Sequence, residues 1–295
     1  MEKKNAVVTN APKPAATANK NTGKVEGKSG GAFASFAIPI AILAGILIYT
    51  FILGNGSNFE GGDNANHPLP GNMLGQVYKG GPIVAVLIAV NIMIILFAIE
   101  RFLTINKAKG SKGVESFVRT IRQKLNAHDI NGALAACDTQ RGSVANVVRA
   151  GLLKYQEMQK DTTLAKDQKV LAIQKEIEES TALELPMLEK NLVIISTIAS
   201  VSTLIGLIGT VRGMIVAFAA LATAGTPDAT ALANGISEAL INTALGITGS
   251  TIAIIAYNFF TSKIDQLTHS IDETGFSIIQ TFASQEGNTA TTSHV

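Results

Sequence analysis

The strongest constraint on this chain is where its charges are absent. Ser29 to Phe59 holds no Asp, Glu, Lys or Arg in 31 residues, Gly80 to Ile99 none in 20, Asn191 to Val211 none in 21, and Ala239 to Ser262 none in 24. A helix rises about 1.5 Å per residue, so roughly 20 residues cross a hydrocarbon core of about 30 Å. Lipid offers the backbone no hydrogen-bond partner, so such segments must be helices that satisfy their amides internally. The expected spans are 32–53, 82–103, 190–222 and 233–262, the last two long enough to project beyond the bilayer. The fold class that follows is all-α: a polytopic membrane protein whose long transmembrane helices extend into a helical cytoplasmic region. The charged fraction, 16% against about 25% in a soluble domain, agrees.

Orientation is read from Lys and Arg, which accumulate on the cytoplasmic side. Residues 1–28 hold six Lys against two acids, the connector 54–81 holds one Lys, residues 104–190 hold fourteen basic and eleven acidic side chains, and 223–232 hold no basic residue. Basic segments alternate with basic-poor ones. The expected arrangement has both termini and the 104–189 segment in the cytoplasm, with 54–81 and 223–232 outside. The polar stretch before the first span is too long for a signal-peptide n-region, so that span is expected to remain uncleaved.

The remaining segments have simple compositions. Residues 1–31 have almost nothing to bury and are expected to form a disordered tail. Residues 54–81, rich in Gly with two Pro, are expected to be a loop. In 104–189, Val114, Phe117, Val118, Ile121 and Leu125 recur at helical spacing, as do Val144, Val147, Val148, Leu152 and Leu153. A short helix is expected at Ala133–Ala136, after an Asn131-Gly132 break. A long charged helix follows from Leu164, running towards the third span with a kink at Pro186. Residues 263–295 are expected to be a cytoplasmic tail.

Catalysis finds no support. Net charge is +2, so no basic field for nucleic acid exists. The single cysteine, Cys137, and histidines scattered at 67, 128, 269 and 295 suggest neither a disulfide framework nor a metal cluster. No Walker loop, GxGxxG, HExxH or GxSxG occurs. The expectation is a protein without enzymatic activity and without a cofactor.

The candidate residues lie inside the last two spans. Gly206, Gly209, Thr210, Gly213 and Ala217 fall on one narrow face of the third. Ala239, Thr243, Gly246, Ser250 and Ala253 form a similar strip on the fourth, with Asn242 adding an amide. Two readings are open: close helix packing through small residues, or a pore wall in which Thr210, Thr243 and Asn242 meet an ion. Arg212 and Glu238 are ionisable groups within these spans. Such groups cost about 2.5–3.5 kcal/mol at mid-membrane on insertion scales and so pair or face water. They form either a structural ion pair or part of an ion path. Glu100-Arg101 is expected to be an interfacial anchor, and Tyr257-Asn258 to mark the cytoplasmic end of the fourth span.

Two blocks carry a resemblance. Ile205-Gly206-Leu207-Ile208-Gly209-Thr210-Val211-Arg212-Gly213-Met214-Ile215 resembles the GLLGTVxGMI signature of the MotA/TolQ/ExbB proton-channel family. Gly235-Ile236-Ser237-Glu238-Ala239-Leu240, with Thr243, Gly246 and Tyr257-Asn258, resembles that family's ISEAL…T..G……YN stretch. The branch most similar is ExbB. The resemblance implies a ring, a homopentamer, around a dimer of an ExbD-like single-span partner whose membrane aspartate binds the proton. It places Thr210 and Thr243 in the lumen beside that aspartate and maps the family glutamate to Glu238. It also implies a bacterial inner-membrane motor that energises a TonB-like protein. Arg212 stands where family members are often aromatic or aliphatic, and the first span is additional to the three-span type.

The expected function is thus the ring subunit of a motor driven by the proton-motive force. The alternatives are a TolQ-like envelope motor, a gliding or flagellar stator, or a non-conducting scaffold. The ion is H⁺ on the resemblance, with Na⁺ open. The topology is tested by cysteine labelling from outside the cell. Cysteines at Asn64 and Thr226 should react and one at Lys166 should not; reaction at 166 would overturn the orientation.

Overall fold

The computed structural model describes residues 29–222 and 228–292. The expected tail 1–31, except its last three residues, and residues 223–227 of the expected connector 223–232 lie outside the described residues, as do 293–295. Everything described is helix or short connection. Among the described residues, four helices are long and apolar enough to cross a membrane.

Helix α1 (Ser29–Leu47) passes into a single π-helical turn, Ile48–Leu53, closed by Gly54 N donating to Tyr49 O at 2.9 Å. It lies along α3 (Ile83–Lys109). The two approach closely because Gly45 sits over Ala85 and Ala89; a Cβ at Gly45 would fall 2.7 Å from Ala85 O. Ala37 and Ala41 are buried on the same side, while Phe36, Leu43 and Phe51 face outward, as lipid-facing side chains should.

Between these helices the expected loop 54–81 is folded. Its short helix α2 (Met73–Tyr78) is capped by the Asn72 side chain, which accepts from Gly75 N at 3.1 Å. Asn58 is buried and donates from Nδ2 to Ile52 O at 2.8 Å and Leu53 O at 3.0 Å, capping the end of the first span. Tyr49 stacks on Tyr78 with ring centroids 4.8 Å apart, and Lys79 Nζ donates to the carbonyls of Asn64 and Ala65, both at 3.0 Å. Side-chain amides and aromatic rings thus hold together a segment whose glycine content suggests only irregularity.

A bundle follows at the other end of the spans: α4 (Val114–Asn126), α5 (Ile130–Gln140), α6 (Ser143–Lys160) and α7 (Lys166–Glu189). The Asn131-Gly132 break is absent. Asp129 caps α5, accepting from Gly132 N at 2.8 Å, so the pair lies in the first turn of the helix and the break falls three residues before Asn131, at His128 with φ 55°. The chain bends at Lys190 and Asn191, just after Pro186, before α8 (Leu192–Leu221) begins.

The last helix, α9, runs unbroken over Ala229–Thr292. The expected boundary at 262 is therefore not a helix end, and most of the expected tail is helix. The cause is packing: Ile264, Leu267, Ile271, Ile278 and Phe282 are buried at helical spacing, with α4, α6 and α7 packed against the helix. Tyr155 and Phe282 meet edge to face at 4.9 Å. This half of α9 is the axis of the bundle.

Glu100-Arg101 is not a surface anchor. Arg101 is 2% exposed. Its Nε and Nη2 donate to Glu100 at 2.6 and 2.5 Å, and its Nη1 donates to Leu188 O at 3.0 Å. Asn191 Nδ2 donates to Glu100 at 3.0 Å and Thr104 Oγ1 does so at 3.1 Å. The last carbonyls of a helix lack intrahelical partners and carry the negative end of its dipole. Arg101 supplies both a donor and a positive charge to those of α7, and so fixes the bend into α8. Arg101→Met should lower unfolding stability in detergent by about 3–5 kcal/mol, because Glu100 is then left as an uncompensated buried charge. Lys124→Met, which breaks the exposed pair with Asp129, should cost about 1 kcal/mol at most. Equal costs would show that the Arg101 network is not structural.

Candidate ion-pathway site

The site is built on the hairpin of α8 and α9, the most extensive helix contact in the protein. Its glycines are a packing seam. A Cβ at Gly213 would lie 2.6 Å from both Ala239 N and Gly235 O; one at Gly206 would lie 2.9 Å from Asn242 O; one at Gly246 would lie 2.8 Å from Ser202 O. Gly209 faces the Asn242 side chain equally closely. Ser202, fully buried, donates from Oγ to Gly246 O at 2.9 Å. Of the two open readings, packing accounts for Gly206, Gly209, Gly213 and Gly246, and for Ala217 against Gly235.

Thr210 and Thr243 are placed differently. Both are half-buried beside the seam rather than inside it. Thr210 Oγ1 donates to Leu207 O at 2.6 Å and Thr243 Oγ1 donates to Ala239 O at 3.0 Å. Each hydroxyl proton is engaged by its own helix, so what each oxygen has left to offer is acceptor capacity. Such a pair can receive a hydrogen bond from a protonated carboxyl or a hydronium, or ligate a small cation.

Asn242 does not join them. It is fully buried, and its Nδ2 donates to Gly80 O at 2.8 Å and to Glu238 O at 3.0 Å, pinning α9 to the turn before α3. The expectation of a pore-lining amide meets a side chain buried inside the protomer, whose Nδ2 is bonded while its Oδ1 has no partner among the described residues.

Arg212 and Glu238 are brought together, Nη1 to Oε1, at 2.8 Å. The glutamate side chain is 11% exposed and the arginine 44%. Gly81 makes their approach to the turn possible. Its φ is +78°, a region few side chains tolerate, and a Cβ there would fall 2.6 Å from Glu238 Oε1 and 2.9 Å from Arg212 Nη1. Gly80 and Gly81 were not foreseen as part of the site; the available signal was the Gly80-Gly81-Pro82 run opening the second span. Cys137 lies far from this hairpin in the chain, buried in the bundle, and burial pushes its thiol up to about 12, which makes it unreactive near neutrality.

Fold and hairpin together define an all-α, polytopic membrane protein with two threonines flanking a close-packed pair of spans. Residues 141–273 match the MotA/TolQ/ExbB proton channel family, which bears out the resemblance read from the two blocks. The chain is 32% identical over 124 residues to the Tol-Pal system protein TolQ of Pseudomonas aeruginosa, covering 42% of this chain and 54% of the relative. It is 41% identical over 81 residues to the biopolymer transport protein ExbB of Helicobacter pylori, covering 28% of this chain and 56% of the relative. With the biopolymer transport protein ExbB of Salmonella typhimurium the figures are 37% over 70 residues, 24% and 29%. The chain thus spans about half the length, or less, of these curated relatives.

The pairing of Arg212 with Glu238 can be measured. Exposed pairs contribute up to about 1 kcal/mol, and breaking buried ones costs about 3–5; the half-exposed arginine puts this pair between the two. A double-mutant cycle with Arg212→Gln and Glu238→Gln should give a coupling of about 1–2 kcal/mol in unfolding stability. A coupling below about 0.5 kcal/mol would mean that the contact is not energetically significant.

Proposed function

We propose that the chain is the ring subunit of a proton-motive-force-driven motor in a bacterial inner membrane, with an ExbB-like role. In this reading five copies surround a dimer of an ExbD-like single-span protein and energise a TonB-like protein, and both termini are cytoplasmic. The observation that carries it is the pair of half-buried acceptor hydroxyls, Thr210 and Thr243, inside a stretch that matches a proton channel family.

Chemistry supports the need for a partner. Between the levels of Glu238 and Glu100 the four spans contain no Asp, Glu, Lys, Arg or His. Threonine hydroxyls do not titrate in the physiological range, so the group that takes up and releases the proton has to come from another chain. A carboxylic acid is the simplest fit: protonated it donates to a threonine oxygen, ionised it loses that bond. The same acceptors would serve partly dehydrated Na⁺. A TolQ-like envelope role is the second reading, favoured by the 124-residue alignment with a TolQ protein.

The complex should be purified from its native membranes in mild detergent, its components counted by native mass spectrometry, and ion uptake followed in proteoliposomes. Valine is nearly isosteric with threonine but lacks the hydroxyl. Thr210→Val and Thr243→Val are each expected to lower uptake at least tenfold with the oligomer intact. Full uptake in both variants would overturn the reading and leave a scaffold in its place.

A further inference from the structure

The α8–α9 hairpin carries a pattern that the threonine pair only begins. Moving back along α8 from Thr210 by seven residues reaches Thr203, and by fourteen Ser196; moving forward along α9 from Thr243 by the same steps reaches Ser250 and Tyr257. The helices are antiparallel, with Ser202 bonded to Gly246, so these residues stand as three successive hydroxyl rungs, Thr210/Thr243, Thr203/Ser250 and Ser196/Tyr257. Two heptads keep them on nearly one face. The lower two rungs, with Ser200, line a cavity of about 250 Å³.

Of the hydroxyls around this cavity, that of Ser196 donates to Val193 O of its own helix at 3.3 Å, and the others differ from their neighbours. Thr197, Thr210, Thr243, Thr248 and Thr251 fold back onto carbonyls of their own helices. Those of Ser200, Thr203, Ser250 and Tyr257 have no hydrogen-bond partner among the described residues. The space is an open groove in which Ser200 and Thr203 are exposed and Ser250 and Tyr257 half-buried; hydroxyls facing lipid without partners are costly, so four of them along one groove call for water. At about 30 Å³ per molecule the space admits several. Adjacent rungs are about 10 Å apart along the helices, too far for a direct hydrogen bond and the length of a chain of about three waters.

We propose that Ser196, Ser200, Thr203, Ser250 and Tyr257 form a hydrated vestibule that carries the ion between the Thr210/Thr243 pair and the end of the hairpin nearest the helical bundle. The inference rests on the ion-pathway reading of the two threonines and extends it to residues outside that pair. The vestibule fits water, hydronium or a hydrated small cation, and it lacks any fixed charge that would hold the ion.

The test separates hydration from transport. In native membranes, Thr203→Cys and Ser250→Cys should react with a small cationic methanethiosulfonate at least tenfold faster than Leu43→Cys, which lies on the outward face of α1. Reaction no faster than at Leu43 overturns the vestibule. In the purified complex, Thr203→Val and Ser250→Ala should each lower ion uptake at least fivefold, while Thr203→Ser and Ser250→Thr should retain it. Loss of uptake in Thr210→Val but none in the vestibule variants overturns this inference and leaves the parent reading standing. Unchanged uptake in Thr210→Val and Thr243→Val removes the parent reading, and this inference with it.

Discussion

The backbone contact between α8 and α9 is the constraint on which the rest of the structure depends. Van der Waals packing of small residues is a principal source of helix association in lipid, where no hydrophobic gain separates protein from solvent. Gly206, Gly213, Gly235 and Gly246 let the two backbones meet at distances that a methyl group would prevent. Because the glycines occupy the interior of the seam, the residues one step round each helix are forced to its rim. That is where Thr210 and Thr243 stand, half-buried beside the seam.

Two polar clamps hold this hairpin against the rest of the protein. At one end, Asn242 and the Arg212–Glu238 pair close on Gly80 and Gly81, tying the hairpin to the entry of α3. At the other, Arg101 and Glu100 near the far end of α3 hold the α7–α8 bend. Both clamps use charged or amide side chains within apolar surroundings, where an unpaired group is expensive and a wrong register correspondingly costly. Helix α3 carries one clamp at each end and so acts as the spacer between them.

Much of this was legible in the sequence, and the gaps have physical causes. The four spans were visible because a bilayer demands a run of about 20 apolar residues; four long apolar helices are present among the described residues, with α3 running on past 103 to Lys109. The glycine strip was visible as a face, but its role was not: spacing places Gly206 and Thr210 together, and only the partner helix shows that one is inside the seam and the other on its rim. The course of α9 beyond 262 is masked by the fall in hydropathy there, although Ile264, Leu267, Ile271 and Ile278 keep helical spacing. The tether made by Asn242 was not legible because an amide in a span suggests a pore as readily as a tether, and its acceptor, Gly80 O, is 162 residues away. The Arg101 network escaped for the same reason: its partner carbonyl, Leu188 O, is 87 residues distant.

The unbroken course of α9 has a mechanical consequence. Its 64 residues span about 96 Å at about 1.5 Å per residue, and no proline or loop interrupts them. Such a rod cannot absorb a change of angle locally; it delivers that change to its far end. A tilt of about 5° about the end near Glu238 displaces the opposite tip by roughly 8 Å over that length. A small change of angle at one end of such a helix is thereby converted into a displacement of most of a helix diameter at the other, with no hinge between them.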